Sequence, residues 1–202
     1  MSTAETEIEG ESLTHRILWQ CCILQMEIAR NQPKGAMYFH LTAMLTAYLT
    51  YEAYLNYVGE RVAPSEWANE KEFFNKDPYK GIEGKLKKIA EVCGITNINK
   101  GVRPYQTITT LGDLRDCVVH GKPDKFKVKS EHPRDIEQSL HGHDQLTQLV
   151  SPEKSERAIH DIEEFVEFLH QQARKHVHDI WFGDKALSGL LGVVPQLRFG
   201  QV

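Results

Sequence analysis

The hydrophobic positions of this chain recur at helical intervals over most of its length. Apolar residues repeat every three or four positions in six segments, at about 11–31, 34–62, 66–74, 81–93, 104–119 and 151–180. Proline and glycine fall between the segments, at Pro64, Gly94 and Pro123, where helices commonly end. Long amphipathic segments joined by short or medium connections predict an all-α fold, an up-down helical bundle.

Two serines are placed to begin helices. Ser65 follows a proline and is predicted to be the N-cap of the short helix 66–74. Ser151 precedes Pro152 and Glu153, a sequence typical of a helix start. In the first helix, the apolar spacing predicts that the core-facing positions are Leu13, Ile17, Cys21, Leu24 and Ile28.

The remaining segments lack a clear helical period. Residues 130–150 are rich in histidine and are predicted to form an irregular or β-hairpin insertion. Residues 1–10 are predicted to be an acidic disordered tail, and residues 11–182 a single helical domain. Residues 183–202 are too apolar to remain solvated, which predicts a C-terminal tail docked on the bundle or on a partner subunit.

Composition narrows the class of protein. The 202 residues are 41% hydrophobic and 26% charged, which is typical of one globular domain and not of a disordered chain. The net charge of −4 argues against binding polyanions through overall charge. No apolar run approaches the ~18–20 residues of a membrane helix. Four cysteines without CxxC spacing, among apolar neighbours, indicate reduced core thiols and a cytoplasmic location.

Two charged residues interrupt the apolar stripes. Glu52 continues the spacing of Leu41, Met44 and Tyr48, and Arg115 continues that of Tyr105, Ile108 and Leu111. A buried charge is costly unless it is paired, so the two can form a partnered polar site between their helices. Alternatively, each side chain packs its stem at the margin of the bundle and extends its charged end into water.

His120 adds a candidate chemistry. It lies five residues after Arg115, a step that turns about 140° on a helix, but Gly121 and Pro123 end the helix there and allow His120 to turn back. A histidine beside a fixed guanidinium suits phosphoryl transfer without a metal. The imidazole moves the proton, and the guanidinium neutralises charge on the transition state.

The stretch from Leu114 to Gly121, Leu-Arg-Asp-Cys-Val-Val-His-Gly, resembles the Arg-x4–6-His signature of HEPN domains. Asp116 matches the polar residue that usually follows the arginine. The sequence from Tyr51 to Asn56 is similar to an earlier helix of that family, which often carries an inward acidic residue. The resemblance implies an all-α bundle that dimerises, with two Arg–His motifs facing each other. Active members are metal-independent endoribonucleases of toxin–antitoxin, antiviral and RNA-processing systems, and inactive members are binding or dimerisation modules.

The resemblance also implies roles for individual residues. His120 is expected to act as general acid and base, and Arg115 to hold the phosphate, giving a 2′,3′-cyclic phosphate and a 5′-hydroxyl. Asp116, Glu52 and Asn56 are expected to support them. No cofactor and no metal are expected. The expected partners are a second copy of the chain, RNA and an antitoxin or other protein, and no membrane.

Two features leave alternatives open. Lys122 and Lys125, followed by further lysines at 127 and 129, can contact RNA phosphates or form a solvated strand edge. Three histidines, His132, His141 and His143, suggest a metal-dependent hydrolase, although their spacing matches no zinc pattern.

The main competing hypothesis is a non-catalytic helical dimer that binds a protein or nucleotide, with Arg115 and Glu52 as a structural core pair.

Overall fold

The protein is mostly helical. The computed structural model describes residues 8–9, 11–121, 123, 145–177, 182–189 and 196–197. Within these residues the two strands, Ile8–Glu9 (β1) and Gln196–Leu197 (β2), pair as an antiparallel ladder. The all-α prediction is confirmed. The helices are α1 (Thr14–Asn31), α2 (Ala36–Val62), α3 (Pro64–Ala68), α4 (Glu70–Phe73), α5 (Gly81–Val92), α6 (Tyr105–Val119), α7 (Gln145–Leu149) and α8 (Pro152–Ala173).

Helix α2 is the centre of the bundle, because it packs against α1, α5, α6 and α8. Tyr51 and Tyr54 on α2 are completely buried. The ring of Phe165 on α8 lies 6.0 Å from that of Tyr51 and 5.3 Å from that of Tyr105 on α6. Each such side chain contributes roughly 1.5–3 kcal/mol by burial, so this aromatic group holds three helices together. None of the described helices is long and apolar enough to cross a membrane.

The buried face of α1 differs from the predicted one. Ile17 and Leu24 are 42% and 54% exposed, and Cys21 is exposed as well. The residues that face the core share a spacing of three and four positions: His15, Trp19, Cys22, Met26 and Ala29, with Arg16 beside them. Leu13 at the N-cap of α1 is buried as predicted. Within the helix both stripes have helical periodicity, and the prediction chose the wrong face and placed Cys21 wrongly among the core thiols.

The short helices after α2 also differ from prediction. Helix α3 begins at Pro64, whose missing N–H costs nothing at that position. Ser65 is therefore inside the helix, where its hydroxyl donates to Glu66 at 2.6 Å, and it is not an N-cap. The predicted single helix is interrupted at Asn69. Trp67 packs directly on Gly59 of α2, where a Cβ would overlap the indole ring.

Helix α8 begins as predicted at Ser151. Its hydroxyl oxygen accepts a hydrogen bond from the backbone N–H of Lys154 at 3.2 Å, and Pro152 occupies the first turn. The preceding helix α7 lies within the segment 130–150 that was predicted to be a loop or hairpin, so that prediction is wrong for residues 145–149.

A buried carboxylate joins α6 to α8. The side chain of Asp161 is 1% exposed and accepts hydrogen bonds from Arg103 at 2.8 and 2.6 Å, and another from Thr107. Burial alone raises the pKa of Asp161, but the hydrogen bonds from Arg103 and Thr107 outweigh it and lower the pKa. The carboxylate therefore stays ionised and fixes the start of α6 on α8.

The segment 182–189 is docked on the bundle by polar and aromatic contacts. The backbone oxygen of Ala186 accepts from Arg16 at 3.0 Å and lies 3.2 Å from Nε2 of His15. The ring of Phe182 stacks on His170 of α8 at 4.3 Å. Ala186 and Leu187 are buried, at 0% and 2% exposure. The first residues of the predicted C-terminal tail are thus part of the core.

Candidate functional site

Arg115 lies at the margin of the bundle and not on its core face. The buried residues of α6 follow three-residue steps, Tyr105, Ile108, Leu111 and Leu114, so the position that enters the core is 114. Arg115 comes one residue later, and its side chain is 40% exposed. The prediction that the guanidinium of Arg115 faces the core, which was based on a four-residue step from Leu111, is therefore wrong. The alternative, a stem at the bundle margin with its charged end in water, describes this residue.

The guanidinium of Arg115 is hydrogen-bonded to Asp116 on its own helix and lies within electrostatic range of Glu52 on α2. Its Nη1 donates to Asp116 at 2.8 Å, and that carboxylate is 63% exposed. The hydrogen bond to Asp116 raises the pKa of Arg115, and the carboxylate of Glu52 on α2 raises it further. The sequence predicted that Glu52 and Arg115 lie together between their helices. The structure brings their charges within electrostatic range, with Asp116 as the hydrogen-bonded partner.

Glu52 is half-buried beside Tyr48, one turn earlier on α2. Burial raises the pKa of Glu52, and the positive charges of Arg115 and Lys85 lower it in part. Burial and the Glu52 charge together raise the pKa of Tyr48 to about 12. Gly112 allows this arrangement, because a Cβ there would lie 3.2 Å from the Tyr48 hydroxyl. Tyr48 was counted from the sequence as a core residue only, although its position four residues before Glu52 places it on the same helix face.

Asn56 has a structural partner. Its Oδ1 accepts from Lys85 of α5 at 2.6 Å and from the indole N–H of Trp67 at 3.4 Å. Lys85 is 8% exposed and is also paired with Glu70. No hydrogen bond among the described residues joins Asn56 to Arg115 or Asp116. Asn56 therefore joins α2 to α3 and α5. The expectation that it supports the Arg115 cluster, by which we mean Arg115, Asp116, Glu52 and Tyr48, is not met by any hydrogen bond among the described residues.

His120 occupies the C-cap of α6 and is exposed. Its backbone N–H donates to the Asp116 carbonyl at 2.9 Å, which continues the helical pattern up to this residue. A five-residue step on a helix covers a rise of about 7.5 Å and a turn of about 140°. Among the described residues, no hydrogen bond or ion pair connects His120 to Arg115. The turn of His120 back toward Arg115, which the sequence allowed, is not found in a single copy.

Several predicted residues lie outside the part of the chain that the structure describes. These are the candidate RNA contacts Lys122 and Lys125 and the loop histidines His132, His141 and His143.

One group within the described residues has the composition of a metal site. Ligand atoms of His160, Asp161 and Glu164 on α8 all lie within 4.8 Å of one another. However, both oxygens of Asp161 already accept hydrogen bonds from Arg103, and one accepts from Thr107 as well. The geometry is explained by the α6–α8 connection, and we assign no metal to it.

No family model matches the sequence, and no curated protein and no solved structure is significantly similar to it. The functional argument therefore rests on the residues of the chain itself.

Proposed function

We propose that the protein is a metal-independent endoribonuclease of the HEPN type, in which Arg115 and His120 of two facing copies cleave RNA. The observation that carries this proposal is the placement of Arg115. Its guanidinium is hydrogen-bonded to Asp116 and lies in the field of Glu52, while the side chain remains 40% exposed, so the guanidinium is positioned and still accessible to a phosphate.

The separation of Arg115 and His120 within one copy favours a dimeric site. A five-residue step on a regular helix turns by about 140°, and no hydrogen bond or ion pair among the described residues joins Arg115 to His120, so we propose that residues of two copies share each phosphate. Exposed apolar residues flank the arginine. Leu49, three residues before Glu52 on α2, is 38% exposed, and Val119, four residues after Arg115, is 59% exposed. Exposed apolar side chains that lie close together mark protein–protein contact surfaces, and we propose a second copy of the chain as the partner of this surface.

The proposed chemistry follows from these two side chains. The imidazole of His120 accepts the proton of a ribose 2′-hydroxyl while the 2′-oxygen attacks the adjacent phosphorus. The bond to the 5′-oxygen breaks, and that oxygen takes up a proton from the second histidine of the dimer. The guanidinium of Arg115 stabilises the additional negative charge on the phosphate oxygens. The products are a 2′,3′-cyclic phosphate and a 5′-hydroxyl.

A second candidate function is a non-catalytic helical binding module. It is favoured by the ion pair of Arg115 with Asp116, which occupies part of the guanidinium without a ligand. The version of this hypothesis with Arg115 and Glu52 as a buried core pair loses its support, because Arg115 is 40% exposed and forms its ion pair with Asp116.

The deciding experiment is cleavage of a mixed-sequence single-stranded RNA in excess EDTA. We expect the wild type to cleave with cyclic-phosphate ends. His120→Ala is expected to lower the rate by roughly 10²–10⁴, the usual effect of removing a general acid or base, and Arg115→Ala by roughly 10²–10³. His176→Ala is the matched control, because His176 is also exposed and lies beyond the end of α8.

The same variants separate the two candidate functions. An exposed ion pair is worth about 0–1 kcal/mol, so Arg115→Ala is expected to keep the free energy of unfolding within that range of the wild type. Cleavage that survives in both His120→Ala and Arg115→Ala would refute the proposed site. An inactive wild type whose stability drops by several kcal/mol in Arg115→Ala would instead support a structural role.

A further inference from the structure

A cleft lies between α6 and α8, on the side of α6 that carries Thr107 and Thr110. It has a volume of about 250 Å³ and is lined by three cationic side chains, Arg103, Lys154 and Arg157, and by no carboxylate among the described residues. In a chain whose net charge is −4, this local excess of positive charge is a distinct feature. We propose that this α6–α8 cleft is a binding site for the phosphate group of a nucleotide.

The three cations are available to different degrees. Arg103 is neutralised by Asp161, which takes its Nε and Nη2. Lys154 donates to the backbone oxygen of Gln148, an uncharged acceptor that leaves its positive charge uncompensated. Arg157 is exposed and makes no hydrogen bond or ion pair with a described residue. Two positive charges therefore remain for an anion, and Arg157 offers a guanidinium fork that matches two phosphate oxygens.

The rest of the cleft suits the remainder of a nucleotide. The side-chain amide of Gln106 and the hydroxyl of Thr110 lie on its wall, and both can bond to phosphate or ribose oxygens. Met44, Leu111 and Leu149 supply apolar surface on which a base or sugar can pack. Binding pockets of small molecules commonly combine an apolar lining with a few polar groups. A volume of about 250 Å³ holds a phosphate and part of a nucleoside, so we expect the base to extend beyond the cleft.

This inference does not rest on the proposed nuclease activity, because none of the cleft residues belongs to the Arg115 cluster. The test uses isothermal titration calorimetry of the full chain with four probes: AMP, inorganic phosphate, adenosine and a short oligodeoxyadenylate. The deoxy oligomer lacks the 2′-hydroxyl that the proposed cleavage requires, so binding is measured independently of cleavage.

We expect the wild type to bind AMP and not adenosine. Loss of one charge-assisted contact in Arg157→Gln is expected to weaken AMP binding roughly tenfold. Arg157→Lys keeps the positive charge without the planar fork, and its affinity for AMP is expected to lie between those of the wild type and Arg157→Gln. The matched control is Lys175→Gln, which also removes one exposed positive charge but lies beyond the far end of α8. It is expected to bind AMP like the wild type.

The four probes also distinguish the source of the phosphate. Tighter binding of AMP than of inorganic phosphate identifies a mononucleotide site, and tighter binding of the oligomer identifies a contact to a strand backbone; both results support the proposal. Equal affinity for inorganic phosphate and AMP identifies a free phosphate site to which the nucleoside contributes nothing, and it would overturn the assignment to a nucleotide. Equal affinity for adenosine and AMP, no binding of any phosphate-bearing probe, or equal losses in Arg157→Gln and Lys175→Gln would overturn it. Because Arg157 is exposed, circular dichroism of its variants is expected to match that of the wild type.

Discussion

Two buried histidines are expected to make the fold sensitive to mild acid. His15 on α1 and His170 on α8 are 1% and 0% exposed, and both contact the docked segment 182–189. Burial, followed by the charge of Arg16, lowers the pKa of His15 to about 3. Burial also lowers the pKa of His170 to about 4, although the hydrogen bond to Gly183 opposes it. In the unfolded chain both return toward the ordinary pKa of 6.5.

The sign and size of the effect follow from these values. Because the pKa is lower in the folded state, the unfolded chain binds protons first as the pH falls. The stability that the neutral rings contribute is complete above about pH 6.5 and is lost between pH 6.5 and each folded-state pKa. At pH 5 each unfolded ring is almost fully protonated and each folded ring almost neutral. Near this pH each histidine therefore lowers the free energy of unfolding by about 1.4 kcal/mol for every unit of decreasing pH. From pH 7 to pH 5 the two histidines together are expected to lower the free energy of unfolding by roughly 3–4 kcal/mol.

The assay is urea unfolding of the wild type, His170→Gln and the exposed control His176→Gln at pH 7 and pH 5. Three carboxylates have lowered pKa values, Glu66, Glu153 and Asp161, and their unfolded values are 4.5, 4.5 and 3.8. Most of their effect therefore falls below this window. Between pH 7 and pH 5 the free energy of unfolding of His170→Gln is expected to fall by roughly 2 kcal/mol less than that of the wild type. His176→Gln is expected to show the same decrease as the wild type. An identical loss in wild type and His170→Gln would refute the reasoning.

Two further predictions concern α8 and can be measured by urea unfolding at neutral pH. Ser151→Ala removes the hydroxyl that accepts from the Lys154 N–H and is expected to lower the free energy of unfolding by about 1 kcal/mol. Ser65→Ala is the control, because Ser65 is not a cap, and it is expected to lower the free energy of unfolding clearly less. Equal losses in the two variants would contradict the assignment of Ser151 as the N-cap. Asp161→Ala leaves Arg103 and Thr107 without their acceptor and is expected to cost roughly 2–3 kcal/mol. An unchanged midpoint would show that this carboxylate does not hold α6 on α8.

The sequence was a good guide to the existence of the helices and a poor guide to their faces. On α1, the stripes 17, 21, 24, 28 and 15, 19, 22, 26, 29 have the same period, and the first contains more aliphatic residues. The structure buries the second because its polar members find partners. His15 and Arg16 contact the Ala186 carbonyl, about 170 residues away in sequence. A contact of that range leaves no local signal, so hydrophobicity alone favoured the wrong face.

The sequence predicted that Glu52 and Arg115 lie near each other, but it did not predict how deeply they are buried. The sequence brought Glu52 and Arg115 together from two helices, and the structure places their charges near each other. It did not determine whether they lie inside the core, because a shift from Leu114 to Arg115 is a single residue in helical phase. The geometry of His120 was undetermined for a related reason. A residue at a helix C-cap either follows the helix or turns away from it, and the backbone here follows the helix.

The two arginines at opposite ends of α6 show what makes a guanidinium available to a ligand. Arg103 is paired with Asp161, whose side chain is 1% exposed, so a phosphate that displaced it would leave a buried carboxylate without a partner. Arg115 is paired with Asp116, whose side chain is 63% exposed and is readily solvated when the pair opens. Exchange of Asp116 for a phosphate therefore costs little, whereas exchange of Asp161 is strongly opposed. The exposure of the partner carboxylate, more than that of the arginine, distinguishes the arginine that holds the fold from the one that is available to an anionic ligand.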